Sequence, residues 1–199
     1  MSAIEIIKIA PVKRELKKYV QFGTDLYEGN PWFVPPLLTD DVNTLSPDVN
    51  PAFEFCEAQS FMALRDGKPV GRVTGIINSV VNKRSGRNEL RFGFVDFIDD
   101  DEVVDALFKA VSDWGRSKGM TSIVGPMGFT DMDHEGMLVE GFKEMGTMAT
   151  IYNYPYYPRQ MERMGFEKEA DWVEFRITVP EAIPEKHQRI ADLVQKRNN

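Results

Sequence analysis

Cysteine and histidine are nearly absent: Cys56 is the only cysteine, and His134 and His187 are the only histidines, in 199 residues. A lone thiol excludes an internal disulfide and a zinc cage built from cysteines. His187 lies in a polar C-terminal stretch, so a single histidine remains in the body of the chain, too few for a multi-histidine metal centre. No metal is therefore expected. Positive charge is also short. Lys and Arg number 24 against 31 Asp and Glu, a formal charge of −7, which disfavours nucleic acid as a partner. No apolar run approaches the roughly 18 residues that span a bilayer. The start, Met1-Ser2-Ala3-Ile4-Glu5, lacks the basic-then-apolar pattern of a secretory signal. Together with the single thiol, this points to a reducing, cytoplasmic setting.

What is present is an ordinary globular composition, 42% hydrophobic and 28% charged, without repeats or a Gly/Ser-rich linker. Residues 1–180 read as one domain and 181–199 as a C-terminal tail or linker helix. Ile4 to Ile9 reads as a first strand. Pro11 suits the first turn of a helix whose apolar positions Leu16, Tyr19, Val20 and Tyr27 carry it to about Glu28. A short helix is expected from Pro36 to Leu45. Gln59 to Arg65 and Val70 to Asn78 form a hairpin around the turn pair Asp66-Gly67. Asn82 to Asn88 is polar and basic and predicts an exposed loop. Leu90 to Ile98 is apolar on both faces, as a buried central strand would be. The clearest helix runs from Asp101 to Lys118, with Val103, Val104, Leu107, Val111 and Trp114 in one stripe. Asp99 or Asp100 caps its start and Gly119 closes it. Thr121 to Val124 is a short strand, Pro158 to Met164 a short helix, and Trp172 to Val179 alternates as a final strand. Glu185 to Lys196 is amphipathic and helical. The order predicts an α/β (α+β) fold with a mixed central sheet covered by helices.

Three phrases carry a family likeness. Asp66-Gly67-Lys68-Pro69-Val70-Gly71-Arg72-Val73 is similar to the hairpin between the second and third strands of the GNAT acyl-CoA N-acyltransferases. Ala110 to Val124, with Trp114, Gly119 and Ile123, resembles that family's third helix running into its fifth strand. Glu162-Arg163-Met164-Gly165-Phe166-Glu167-Lys168, followed by Trp172-Val173-Glu174-Phe175, resembles its last helix, turn and strand. The resemblance covers about residues 4 to 180 and implies a sheet of about six to seven strands. It further implies a V between the fourth and fifth strands, where the pantetheine arm of an acyl-CoA or acetyl-CoA co-substrate pairs with fourth-strand backbone. Val95, Asp96 and Phe97 are the residues so placed, with Asn153 matching an asparagine before the last helix. An amine attacks the thioester, aided by a base and by an acid for the leaving thiolate.

Three departures accompany the likeness. The family's glycine-rich phosphate loop is replaced here by Ile98-Asp99-Asp100-Asp101-Glu102-Val103. Each carboxylate there would repel a pyrophosphate by about 4 kcal/mol per unit-charge pair at 4 Å and an effective dielectric near 20. The family's acid, a tyrosine four residues before Gly165-Phe166, is Met161 here, and Tyr156 and Tyr157 are the nearby substitutes, with Tyr156 taken as the candidate. Gly125 to Tyr157 is longer than the family norm and resembles the N-terminal half of a tandem GNAT-like protein.

Other constellations have a plain structural reading beside the functional one. Asp131-x-Asp133-x-Glu135-Gly136 copies half a calcium loop but has Phe142 where the bidentate Glu belongs. The same loop offers His134 and Glu135 as bases beside a cleft, against the alternative of a solvated polar loop. Tyr152-Asn153-Tyr154-Pro155-Tyr156-Tyr157-Pro158 should be extended between its prolines, either lining a pocket or wedging the loop onto the sheet. Met127, Met132, Met137, Met145 and Met148 suit adaptable packing or an acyl-chain pocket. Cys56 reads as a small buried hydrophobe. The functions that remain are N-acyl transfer from a CoA thioester to a small amine or amino acid, a catalytically silent GNAT-like domain that binds a ligand or stabilises a second such domain, and an interaction module built on Trp32 and Phe33. A homodimer is the other form of association considered.

Overall fold

The computed structural model describes residues 2–147 and 150–197; Met148 lies outside them. Contacts divide the chain into two units, Met1–Phe166 and Glu167–Asn199, against a sequence-based boundary at 180. Unit 1 contains β1 (Glu5–Ile9), α1 (Lys13–Asp25), α2 (Leu38–Thr44), β2 (Cys56–Arg65), β3 (Lys68–Asn78), α3 (Ser79–Ser85), β4 (Glu89–Phe97), α4 (Asp101–Ser117), β5 (Ser122–Val124) and α5 (Tyr156–Arg163). The five strands lie side by side in chain order. The first four are antiparallel, and β5 joins β4 in parallel.

Alternation along β2 and β3 sorts side chains between two cores. Phe61, Ala63, Val73 and Ile77 face the α4 layer with Val103, Val104, Leu107, Phe108 and Val111. Met62 and Ile76 face the α1 and α2 layer with Leu16, Tyr19, Val20 and Val42. Helix α4 can lie close to the sheet because β3 presents glycines to it. A Cβ at Gly71 would stand 2.7 Å from Leu107, and one at Gly75 would stand 2.7 Å from Val111 and 2.9 Å from Trp114. The Asp100 carboxylate caps α4 by accepting the backbone N–H groups of Glu102 and Val103 at 3.0 and 3.2 Å.

Three expectations are corrected. The sheet has five strands, not six to seven: Trp172 to Val179 forms no strand, and Trp172, Phe175 and Ile177 are more than 80% exposed. Alternation records a capacity to be half buried, but a strand also needs a hydrogen-bonded neighbour, and this segment has none among the described residues. The stretch read as a loop at Asn82 to Asn88 is helical as far as Ser85. Asn78 caps α3 by accepting Val81 N–H at 3.0 Å, and Gly86 ends it with φ 69°; the cap was hidden because Asn78 also ends β3. The tyrosine run becomes helical at Tyr156, since Pro158 falls in the first turn, where a missing N–H costs nothing. Unit 2 contains α6 (Glu185–Arg197), all of whose described residues are exposed. No helix of the described residues is long and apolar enough to cross a membrane.

Substituting Gly75→Ala tests the close approach of α4. The added methyl must push Val111 or Trp114 aside, and overpacking of this kind costs about 1–3 kcal/mol. A lowered thermal midpoint is expected; an unchanged midpoint would show that α4 shifts freely over β3.

Candidate active site

The parallel pairing of β4 and β5 covers only Glu89–Ser122, Leu90–Ile123 and Arg91–Val124. Past that point the strands part. The chain leaving β5 donates Met127 N–H to Phe92 C=O at 2.8 Å. The Arg91 guanidinium holds the carbonyls of Gly128 and Phe129, each at 3.2 Å. β4 runs on alone to Phe97, leaving a slot beside it. Two tyrosines of α5 close its far end: Phe97 N–H donates to the Tyr157 hydroxyl at 3.1 Å, and the Tyr156 hydroxyl donates to Phe97 C=O at 2.6 Å.

A bulge in β4 decides which side chains line this region. Thr74 pairs with Gly93 and Arg72 with Asp96, so Phe94 and Val95 together oppose Val73. Phe94 takes φ 45° to make the extra step, an unusual conformation for a bulky residue. Inserting one residue reverses the alternation. Leu90 and Phe92 point to the α4 core, and after the bulge Val95 and Phe97 do. Phe94 joins the opposite, α1 face, and Asp96 turns with it.

There Asp96 meets Arg72 of β3, both under 10% exposed. Arg72 donates Nε–H to one carboxylate oxygen at 2.7 Å, and its Nη2 is ion-paired with the same oxygen at 2.7 Å. Its Nη1 reaches the α1 carbonyls of Tyr19 and Val20 at 3.2 and 3.3 Å. The guanidinium occupies the place of a side chain at Gly23, where a Cβ would lie 2.0 Å from Nη2. Burial opposes the charge on Arg72, but the facing Asp96 holds the guanidinium protonated. The other Asp96 oxygen is met by Tyr27 at 2.9 Å and Tyr157 at 3.3 Å, with the two hydroxyls 2.9 Å apart. Burial, with the Asp96 charge adding to it, pushes both phenols well above their ordinary value. Asp96 is thus saturated with donors.

Above this pair opens a cavity of about 440 Å³. Its walls include Phe94, Val95 and Asp96 of β4, Asp40 and Asp41 of α2, Met132, Asp133, His134 and Met137 of the loop after β5, and Tyr152 and Asn153. Tyr27 stacks on Phe33 at 4.5 Å and packs against Tyr154 at 5.0 Å, forming an aromatic side to it. Burial raises the Asp41 carboxyl above its usual range, although Arg72 and His134 pull it the other way.

Of the candidates read from sequence, His134, Val95, Asp96 and Asn153 line this cavity. Asn153 is buried and clamps the loop, with its Oδ1 accepting Leu138 N–H at 2.6 Å and its Nδ2 donating to Leu138 C=O at 3.1 Å. Phe97 is in the α4 core, and Glu135 is half-buried next to His134 but not among the lining residues. Tyr156 holds Phe97 from outside the cavity. The Cys56 thiol, remote from it, is pushed up to about 11 by burial and stays protonated near neutrality. Arg72, Tyr27 and Asp41 were not singled out from sequence. Arg72 carried a signal, being a charge inside a strand otherwise free of alternation; Asp41 carried none. Among the described residues no cluster of three or more His, Cys, Asp or Glu is placed to hold a metal.

The four carboxylates at the start of α4 are neutralised within the protein. Arg65 binds Asp100 at 2.6 Å and Glu102 at 3.1 Å. Arg159 binds Asp99 at 2.5 Å, and Gln160 bridges Asp99 and Asp101 at 2.9 Å. The helix-end N–H groups that would take a phosphate already serve Asp100.

No protein-family model matches the chain. It is 31% identical over 186 residues to the bacterial ceramide synthase of Caulobacter vibrioides, an alignment covering 92% of this chain and 48% of that protein. It is 33% identical over 159 residues to protein YghO of Escherichia coli, covering 80% of this chain and 40% of that one. The chain thus spans about half the length of these curated relatives. Among solved structures it superposes on a tandem GNAT protein from the clavulanic acid biosynthesis pathway with TM-score 0.53 and 16% identity, covering 81% of this chain and 43% of the other. A predicted acetyltransferase from Clostridium acetobutylicum, solved with acetyl-CoA, matches with TM-score 0.53 and 7% identity over 87% of this chain and 96% of its own. The fold is that of the GNAT acetyltransferases.

Two measurements check the electrostatics. Arg72→Met leaves a buried carboxylate without its cation, and a loss of about 3–5 kcal/mol is expected in urea unfolding; a loss below about 1 kcal/mol would mean that Asp96 is not held by this pair. The Arg65 hydrogen bond, aided by Val103 N–H against a burial effect of opposite sign, holds Asp100 below the usual carboxylate range. Its contribution is therefore present above the unfolded-state pKa of about 3.9 and disappears as pH falls through the lower folded-state value. Asp100→Asn, which keeps the cap acceptor, should be less stable than wild type near pH 7 and equal to it near pH 2. A deficit that persists in acid would assign the effect to the cap and not to the charge.

Proposed function

We propose that unit 1 transfers an acyl group from a pantetheine thioester to the amine of a small amphiphilic acceptor. The observation that carries this is that Phe94, Val95 and Asp96 line the cavity on the stretch of β4 that lies beyond its pairing with β5, so a thioester laid along that stretch would present its carbonyl carbon to an acceptor in the cavity. Holding both reactants there supplies much of the rate enhancement. Val95 offers backbone to the thioester arm, while the Phe97 N–H and C=O are taken by Tyr157 and Tyr156; His134 is the cavity group we assign to relaying a proton to the departing thiolate, and Tyr156 positions Phe97.

The fit to a CoA thioester differs between its two ends. The slot suits the pantetheine arm. The pyrophosphate has no site at α4, because Asp100 occupies the helix-end donors and its neighbours are carboxylates. Donor recognition therefore rests on the arm and the acyl chain. The acceptor end is apolar, with Phe33, Val34, Pro36, Leu37, Met132 and Met137 around the carboxylates. The Caulobacter relative is named a ceramide synthase, and a ceramide is the amide of a fatty acid with a long-chain amino alcohol. A long-chain amine is the acceptor class this lining favours.

A second reading, a silent GNAT-like domain that binds its ligand and stabilises a second domain, is favoured by the same loss of the phosphate site. A tandem partner fits the share of the relatives that the chain spans, and a homodimer is the alternative association.

Incubation of the full chain with dodecylamine and either palmitoyl-CoA or S-palmitoyl-pantetheine, followed by mass spectrometry, separates these readings. The amide is expected from both donors, with kcat/KM values within about tenfold of each other, or 1.4 kcal/mol. A CoA ester preferred by far more than that would show a phosphate site elsewhere. Ligand protection without any amide would leave the silent reading.

A further inference from the structure

Two of the aspartates that line the cavity, Asp96 and Asp41, differ in their surroundings. Asp96 accepts Nε–H of Arg72, is ion-paired with its Nη2, and is approached by the Tyr27 and Tyr157 hydroxyls, so its oxygens are taken up within the protein. Asp41, on α2, lines the same cavity, and its carboxylate oxygens accept no hydrogen bond among the described residues, only its backbone carbonyl taking Leu45 N–H. We propose that Asp41 is the carboxylate that anchors the acceptor's ammonium group and removes its proton, an assignment that rests on the acyl-transfer reading above.

The charges around Asp41 fit a cationic guest. Asp40 lies beside it on α2, Asp96 faces it from β4, and Asp133 adds a third carboxylate from the loop after β5. Arg72 of β3 is the opposing cation. Arg72 is committed to Asp96 and to α1 carbonyls, so a substrate ammonium adds to this set without displacing it. Tyr27, Tyr152 and Tyr157 complete the polar lining. Burial, which raises the Asp41 carboxyl, makes its carboxylate a stronger proton acceptor than an exposed aspartate.

The step balances as follows. The acceptor enters as R–NH3+, and one N–H proton passes to an Asp41 oxygen. The nitrogen lone pair then attacks the thioester carbonyl carbon. The C–N bond forms, the C–S bond breaks, and the second nitrogen proton goes to the departing thiolate. The products are amide and thiol, and Asp41 returns its proton to water.

Calorimetric titration of the full chain with dodecylamine near pH 7, with dodecanol as the uncharged counterpart, tests the anchor. Wild type should bind the amine at least about tenfold more tightly than the alcohol, a difference of 1.4 kcal/mol. Asp41→Asn should lose that preference and Asp41→Glu should keep part of it. Asp48→Asn, which removes an exposed charge outside the cavity, should bind as wild type. Circular dichroism on each variant separates misfolding from lost binding. Amide formation should fall about 100-fold or more in Asp41→Asn. Equal amine affinity in wild type and Asp41→Asn, or no binding by wild type, overturns the assignment. Charge-dependent binding that needs Asp41 but yields no amide from either palmitoyl donor keeps the anchor, removes the proton-transfer role, and sinks the acyl-transfer reading separately.

Discussion

A guanidinium and a carboxylate buried together tolerate little freedom, and the Arg72–Asp96 pair organises much of what surrounds it. Isolated, either ion would cost several kcal/mol to keep out of water. Pairing requires that Asp96 face the α1 layer, which the β4 bulge accomplishes by reversing the strand's alternation after Gly93. It requires that α1 come close yet make room, which Gly23 allows. It also requires acceptors for the remaining guanidinium N–H groups and donors for the second carboxylate oxygen. The α1 carbonyls and the two tyrosine hydroxyls supply these. Tyr157 in turn receives Phe97 N–H, so the pair is tied through one phenol to the backbone at the closed end of the slot.

The elements that the sequence made legible are those whose signal is local. The Asp66-Gly67 turn, the α4 stripe with its acidic cap, and the short strand after Gly119 all depend on residues within one or two turns of each other. The bulge does not. Phe94-Val95-Asp96-Phe97 reads as unbroken strand, and only pairing with Arg72 and Thr74 across the sheet shows that two residues share one place. Trp172 to Val179 failed for the converse reason: its alternation is strong, but the partner that would make it a strand is not a property of the segment. In the site, Asn153 and His134 could be named because they stand in a distinctive run, whereas Asp41 is an ordinary helix-start acid until the fold sets it opposite Asp96.

The acidic start of α4 illustrates how one device replaces another. A helix N-terminus exposes unpaired N–H groups and a partial positive charge. An anionic ligand can satisfy them, or the chain can do so itself. Here Asp100 does so, and Arg65, Arg159, Gln160 and Arg163 then gather the neighbouring carboxylates. The arrangement stabilises the junction between α4 and α5 without any ligand, and it removes the feature by which this fold would grip the phosphates of a nucleotide-bearing donor.

The consequence is a shift in where binding energy must come from. On the acyl-transfer proposal, donor affinity without phosphate contacts has to arise from slot and chain, both apolar or backbone interactions of low specificity. Discrimination then falls to the acceptor side, where charge is available. Asp96 cannot provide it, since its lone pairs are spoken for by groups that hold the sheet to α1. Asp41 can, because α2 brings it to the cavity with no hydrogen-bond partner for its carboxylate among the described residues. Two aspartates of equal intrinsic chemistry are thereby separated by surroundings alone, one fixed as a structural counter-ion and one left basic. That separation follows from the bulge: without it Asp96 would point at α4 and leave Arg72 without its counter-ion.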